Sequence, residues 1–288
     1  MVTKLSRKQK KRRYKSFRTK SCKKQKKTIK KTIKKRKKRQ LMKGGSITNI
    51  LSKHQNNSLI EIGRGGFGTV VLDEPQSKSV YKISNKLNTC REWHYESNIY
   101  KKLNKFDIDT NLCKLVKMKD SYFDKNTCAM ELTRAYNPFG INETYTVQPH
   151  FQYETLTYKN KLRGLFLGIN ELVEHNIFTH ENIPIYIADL GVLMARLHYK
   201  IKNDGYDIEL FISKRENEPT KIYIGDFDLS QFYEDVPDIE RLAWSFEAVA
   251  YFPIEGKLYD IFSNNYIEEA KKYNMESVAN DVLYKYIN

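Results

Sequence analysis

The chain has 288 residues, with 51 lysines and arginines against 34 aspartates and glutamates, a formal net charge of +17. That length suits one large domain or two smaller ones, and no uninterrupted apolar run approaches the ~18 residues of a membrane-spanning helix, so no membrane association is expected. The four cysteines (Cys22, Cys90, Cys113, Cys128) form no CxxC pair and the six histidines show no HExxH spacing, which argues against a structural zinc site or disulfide framework and for a reducing compartment.

The charge is concentrated at one end. Residues 1–43 hold 23 of the 51 basic residues and no acid, leaving 28 basic against 34 acidic residues, a net of −6, for the remainder. Runs such as KKQKKTIKKTIKKRKKR repel themselves and bury too little apolar surface to fold alone, so 1–45 is expected to be a disordered tail. Such a tail binds nucleic acid or another polyanion by counterion release, with strong salt dependence and no sequence preference. KKRR at 10–13 and KKRKKR at 34–39 also read as nuclear-import signals, and the N-terminus lacks the apolar segment of a secretory signal. The expected location is therefore cytoplasmic or nuclear. Abundant Asn, Lys, Ile and Tyr suggest an AT-rich genome and resemble a large-DNA-virus protein, which adds the virion to the expected places.

LMKGGS at 41–46 closes the tail, and 46–57 reads as a polar linker. Strands are expected at 58–62, 69–72 and 80–83, a helix at 89–104, and two further strands at 112–118 and 127–132. Five strands and one helix would make a small lobe over 58–134. Beyond it, 160–180 and 185–203 read as helices, the second with Ile187, Leu190, Met194, Leu197 and Ile201 along one stripe. A strand pair at 207–213 and 221–225 follows, and 237–288 reads as mostly helical.

The most informative stretch is IEIGRGGFGTVVLDEPQSKSVYKIS, residues 60–84. A dinucleotide-binding fingerprint would open a helix after its last glycine and place an acid ~20 residues on; here Gly68 opens a β-branched strand and Lys82 stands 19 residues after Gly63. A Walker loop would need Lys-Ser/Thr directly after the last glycine, where Thr69-Val70 stands. A plain β-hairpin with a flexible tip is the bland alternative. Strand, GRGGFG, strand and then Val-Tyr-Lys-Ile resembles the protein-kinase-like superfamily.

That resemblance implies an α+β, two-lobed fold: a small antiparallel β lobe with one helix over 58–134 and a reduced, mostly helical lobe over 135–288. It implies that Gly63, Gly65, Gly66 and Gly68 let backbone N–H groups approach the phosphates of ATP, with Phe67 at the loop tip, Val70 under the adenine and Lys82 on the α/β-phosphates. Glu96 would pair with Lys82, with Glu92 as the alternative. Met130 would line the back of the pocket, and Glu131 to Thr133 would present backbone groups to adenine. In Asn203-Asp204-Gly205-Tyr206-Asp207-Ile208-Glu209, Asp204 takes the catalytic-aspartate position and Glu209 replaces the usual metal-binding Asn. In IYIGDFDLS, Asp226 would hold Mg²⁺ or Mn²⁺, with Asp228 where typical kinases have Gly. The second acid is similar to aminoglycoside- and choline-kinase-like members. M-A-R-L-H, D-G-Y-D-I-E-L and Y-F-P at 251–253 resemble a narrower branch, kinase-like domains of unknown function known mainly from fungi.

No A-P-E segment follows Asp226, 62 residues remain after it, and Lys202-Asn203 stand in place of His-Arg. The expectation is an atypical ATP- and metal-dependent kinase acting on a hydroxyl acceptor, foremost protein Ser/Thr. The alternatives are a pseudokinase scaffold without turnover and a small-molecule kinase. A further alternative puts the function in the tail.

Overall fold

The computed structural model describes residues 45–56, 58–64, 68–84, 90–124, 127–160, 164–247 and 250–288, apart from the side chains of residues 45, 46, 91 and 92. The basic tail, its import-like signals and the loop residues Gly65, Gly66 and Phe67 lie outside that set. The chain divides into two units, Met1–Asn49 and Ile50–Asn288, and the description below concerns the second, with the helix that straddles the boundary.

That helix, α1 (Gly45–Gln55), occupies the segment expected to be a polar linker. Ile47, Ile50, Leu51 and His54 recur at spacings of three and four, a helical stripe that the surrounding Ser, Asn and Gln disguise. A five-stranded sheet follows, with β1 (Ile60–Arg64), β2 (Thr69–Leu72), β3 (Ser79–Ser84), β5 (Met118–Phe123) and β6 (Cys128–Thr133) in the order β1-β2-β3-β6-β5, every pair antiparallel. Helix α2 (Cys90–Leu103) connects β3 to the rest and turns Trp93, Glu96, Ser97, Tyr100 and Leu103 inward. The expected strand at 112–118 divides into two. Its first part, β4 (Cys113–Leu115), runs parallel to the later strand Lys221–Gly225 in a separate three-stranded sheet, and the second part opens β5.

Cys90 and Cys128, the first residues of α2 and β6, form a disulfide, contrary to the reading of the cysteines as unpaired. They stand 38 residues apart in sequence, and only the packing of α2 beside β6 brings their Cα atoms to 5.6 Å. Spacing rules for local cysteine motifs cannot detect such a pair. Cys113 is free and buried.

The expected helix at 160–180 is divided: its first part is strand and only Ile169–Glu174 is helical. A second three-stranded sheet consists of β7 (Val147–Pro149), β9 (Gly164–Leu167) and β8 (Thr157–Asn160), with β9 central, parallel to β7 and antiparallel to β8. Gly164 decides the matter: its φ is +110°, and a Cβ there would lie 2.4 Å from the Thr146 carbonyl oxygen. Only the short helix α3 (Ile169–Glu174) follows.

Helix α4 (Ile183–Ala195), with Pro184 in its first turn, passes into a π-helical turn at Arg196–Lys200 and carries the expected stripe, fully buried at Ile187, Leu190, Met194 and Leu197. The antiparallel hairpin β10 (Glu209–Ser213) and β11 (Lys221–Gly225) comes next, with Glu209 opposite Gly225. Helices α5 (Ile239–Glu247), α6 (Gly256–Lys271) and α7 (Glu276–Ile287) complete the chain and share an aromatic core of Phe246, Phe252, Phe262 and Tyr266. Among the described residues, seven α-helices and both antiparallel and mixed sheets make this an α+β fold. None of these helices is long and apolar enough to cross a membrane.

Candidate functional site

A cavity of about 300 Å³, at the small end of ligand sites, opens between the β1–β3 strands and the β10–β11 hairpin. Ile62, Gly63, Gly68, Val70 and Val80 line one side; Phe211, Gly225, Asp226 and Asp228 line the other. Leu132, Thr133 and Ala135 close it where the chain leaves β6, and Gln148, Phe166 and Tyr251 extend it toward the β7–β9 sheet.

Lys82 is central to the cavity. Its position in β3, opposite both Val70 and Met130, places it in the middle of the sheet, and its ammonium donates to both Glu96 carboxylate oxygens at 3.1 and 2.9 Å and to Asp226 Oδ1 at 2.7 Å. Glu96 is 1 % exposed, placed on the inner face of α2 between Trp93 and Tyr100, so its charge depends on Lys82. Burial works against the Lys82 charge, yet Asp226 and then Glu96 hold its pKa well above the ordinary lysine value. Burial pushes the Glu96 carboxyl up to about 7 against the pull of Lys82, and Asp226 adds to the rise. One ammonium thus serves two carboxylates.

The turn after β11 is fixed from α2. The Asp226 N–H donates to the Tyr100 hydroxyl at 3.2 Å, and the Tyr100 ring meets the fully buried Phe227 ring edge-on, with centroids 5.5 Å apart. Asp226 has φ +58°, and Lys202 and Asp207, on the loop between the π-helical turn and β10, have φ +60° and +59°. Left-handed non-glycine residues cost on the order of 1–3 kcal/mol each and gather at functional sites. Five carboxylates, Glu96, Asp207, Glu209, Asp226 and Asp228, line the same cavity. Burial and then the neighbouring Asp226 push Asp228 up to about 6. Among the described residues, no group of three or more His, Cys, Asp or Glu side chains is arranged to hold a metal ion.

Of the residues singled out in the sequence, Lys82, Glu96 and Asp226 meet directly, and Gly63, Gly68, Val70, Thr133 and Glu209 line the cavity with them. Gly68 has a packing reason of its own: a Cβ there would lie 2.3 Å from the Trp93 ring and 2.6 Å from the Ile83 carbonyl oxygen. Met130 is fully buried behind the wall, and it is Leu132, two residues on, that faces the cavity. Glu131 accepts a hydrogen bond from Ser79 at 2.7 Å. The Glu92 side chain lies outside the described residues.

Asp204 stands apart from the cavity lining. It is 4 % exposed, its Oδ1 accepts from the backbone N–H groups of Gln231 at 2.7 Å and Tyr206 at 3.2 Å, and its Oδ2 accepts from Arg241 Nε at 2.7 Å. Every oxygen is committed to fastening the 226–231 turn and α5. The carboxylate that faces the cavity from this loop is Asp207. The D-x-x-D-x-E pattern displayed Asp207, but alignment to the five-residue spacing before Glu209 passed over it. Gln148 and Phe166 carried no sequence signal, because 147–149 was assigned no element and 164–167 was read as helix; Tyr251 stood in the Y-F-P stretch but was given no place at the cavity.

No protein-family model matches the chain, and no curated protein matches it.

Proposed function

We propose that the body is a two-lobed, protein-kinase-like nucleotide-binding domain that transfers the ATP γ-phosphate to a hydroxyl acceptor, foremost a protein Ser or Thr. The observation that carries this reading is Lys82 held between Glu96 and Asp226 inside a cavity roofed by the glycine-bearing β1–β2 hairpin. The antiparallel order β1-β2-β3-β6-β5, with α2 inserted after β3, supports it.

In this reading Glu96 orients Lys82, and Lys82 binds the α/β-phosphates in place of its contact with Asp226. Asp226 and Glu209, with Asp228 beside them, would offer oxygen ligands to a divalent cation: all three line the cavity, although among the described residues they are not already gathered as a metal-holding group, and burial and then Asp226 push the Asp228 carboxyl upward. Mg²⁺ or Mn²⁺ held there supplies charge neutralisation for the phosphates. Asp207 faces the acceptor side and takes the hydroxyl proton, while Asp204 keeps the loop and the 226–231 turn in register. Catalysis of this kind is mainly positioning and electrostatics, which a few fixed groups can supply.

A second reading, nucleotide binding without turnover, is favoured by the burial of Asp204 under Arg241. The test is thermal unfolding of the full chain with ATP and Mg²⁺ or Mn²⁺, beside Lys82→Met and Asp226→Asn, followed by a phosphotransfer assay. Ligand at a hundred times its Kd adds about 2.7 kcal/mol. A metal-dependent rise lost in both variants, with phosphate appearing on a hydroxyl acceptor, is expected. A rise without transfer selects the second reading, and no rise with either metal overturns both.

A further inference from the structure

We propose that a second cavity, between the segment leaving β6 and the β10–β11 hairpin, is a binding site for a phosphate monoester. This cavity, of about 220 Å³, shares only Thr133 with the first. Four cations line it, Lys78, Arg134, Arg215 and Lys221, against one carboxylate, Glu218. The chain beyond residue 43 is net acidic, so this opening is a positive hollow in a body of opposite sign.

Arg134 gives the strongest indication. It is 3 % exposed and donates to the carbonyl oxygens of Pro75, Ser77 (3.2 Å) and Ile141 (3.4 Å), and among the described residues it meets no carboxylate. A buried guanidinium without a counter-charge is costly. Burial, and then repulsion from Arg215, pull its pKa down despite the nearby Tyr136. Arg215 reaches Glu218 only at 3.4 Å, with both side chains well exposed, an arrangement worth little.

The two guanidiniums are also held in place. Their central carbons lie 4.7 Å (Arg134) and 3.9 Å (Arg215) from the centroid of the Tyr136 ring, and Arg215 donates to the Tyr136 hydroxyl. Cation–π contact with one shared ring holds both guanidiniums close together, which lowers the ordering cost of engaging tetrahedral oxygens. A dianionic phosphate would meet Arg134 and Arg215 directly and draw on Lys78 and Lys221 at the rim. A single carboxylate would leave most of the charge unmatched. The site depends on no feature of the nucleotide reading.

The test uses the full chain, titrated with O-phosphoserine and separately with inorganic phosphate at about 0.15 M salt, where exposed charges are well screened. Arginine Nε–H resonances report the site. The comparison is Arg215→Gln/Lys221→Gln, which retains the basic tail and so cancels its contribution. Saturable shifts at Arg134 and Arg215, with affinity about tenfold weaker or worse in the double variant, are expected. Binding of both ligands assigns the phosphate group itself, and binding of O-phosphoserine alone assigns a phosphorylated side chain; either supports the site. Equal binding by the double variant, or no saturable shift, overturns it.

Discussion

Asp204 and Asp207 stand three residues apart and occupy opposite environments. Asp204 is buried and committed to Arg241 and two backbone N–H groups, whereas Asp207 lines the cavity that contains Lys82. Replacing Asp204 with Asn leaves Arg241 without its counter-charge and costs about 2 kcal/mol, since hydrogen bonds to charged groups contribute on that order. The expected outcome is a lower Tm with nucleotide binding retained. Asp207→Asn should leave stability within about 0.5 kcal/mol of the parent, as for substitutions outside the core, and remove phosphotransfer. A parallel pair of melting and transfer measurements separates the two roles, and the reverse pattern would return Asp204 to the reacting centre.

At the scale of elements, α2 sets the geometry of the site. Its inner face carries Trp93 against Gly68, Glu96 on Lys82 and Tyr100 on the Asp226 N–H, so one helix fixes the hairpin, the lysine and the turn together. Gly68→Ala drives a Cβ into the Trp93 ring and the Ile83 carbonyl, and overpacking of that kind costs about 1–3 kcal/mol. Tm should fall, and the nucleotide-induced rise should shrink because α2 moves with Trp93. An undiminished rise would show that Gly68 and Trp93 act independently of the lysine. The Cys90–Cys128 bond ties the start of α2 to β6 across 38 residues. Closing a loop of that length stabilises by about 4 kcal/mol in the chain-entropy account. Melting with and without reductant should therefore differ by several degrees, and identical curves would mean that packing alone holds α2.

At the scale of the whole molecule, buried histidines link stability to pH. His150 is 7 % exposed, packs among the rings of Phe166, Tyr153 and Tyr251, and has no hydrogen-bond partner at either ring nitrogen among the described residues. Burial lowers its pKa to about 4, and burial lowers that of His198 to about 3. A depressed imidazole contributes fully above its unfolded value near 6.5 and loses that contribution as pH falls toward the folded pKa. His150→Phe keeps the ring and removes the proton site. Its stability relative to the parent should rise between pH 8 and pH 5, by about 2 kcal/mol at 1.36 kcal/mol per pH unit, read as a growing Tm difference. A constant difference across that range would mean that His150 is not buried as a neutral ring.

Local patterns in the sequence determined much of this protein. The β-branched run at 69–72, the α2 segment, the stripe from Ile187 to Leu197 and the 221–225 strand follow from side-chain periodicity, which neighbouring residues alone impose. Lys82 and Asp226 were legible through the stretches that carry them, GRGGFG with VYKI and IYIGDFD, whereas Glu96 was one of two glutamates, with Glu92, that an expected helix offered to Lys82. Tertiary structure alone decided what depends on distant partners. Gly164 meets Thr146, so a leucine-rich run becomes a central strand rather than a helix; Cys90 finds Cys128 across the sheet; β4 leaves its expected sheet to pair with β11. It also decided which of two neighbouring aspartates faces the cavity, because Arg241 and the Gln231 N–H, 37 and 27 residues further on, take Asp204 away. Periodicity records which face of an element is buried, but not which distant residue lies against it.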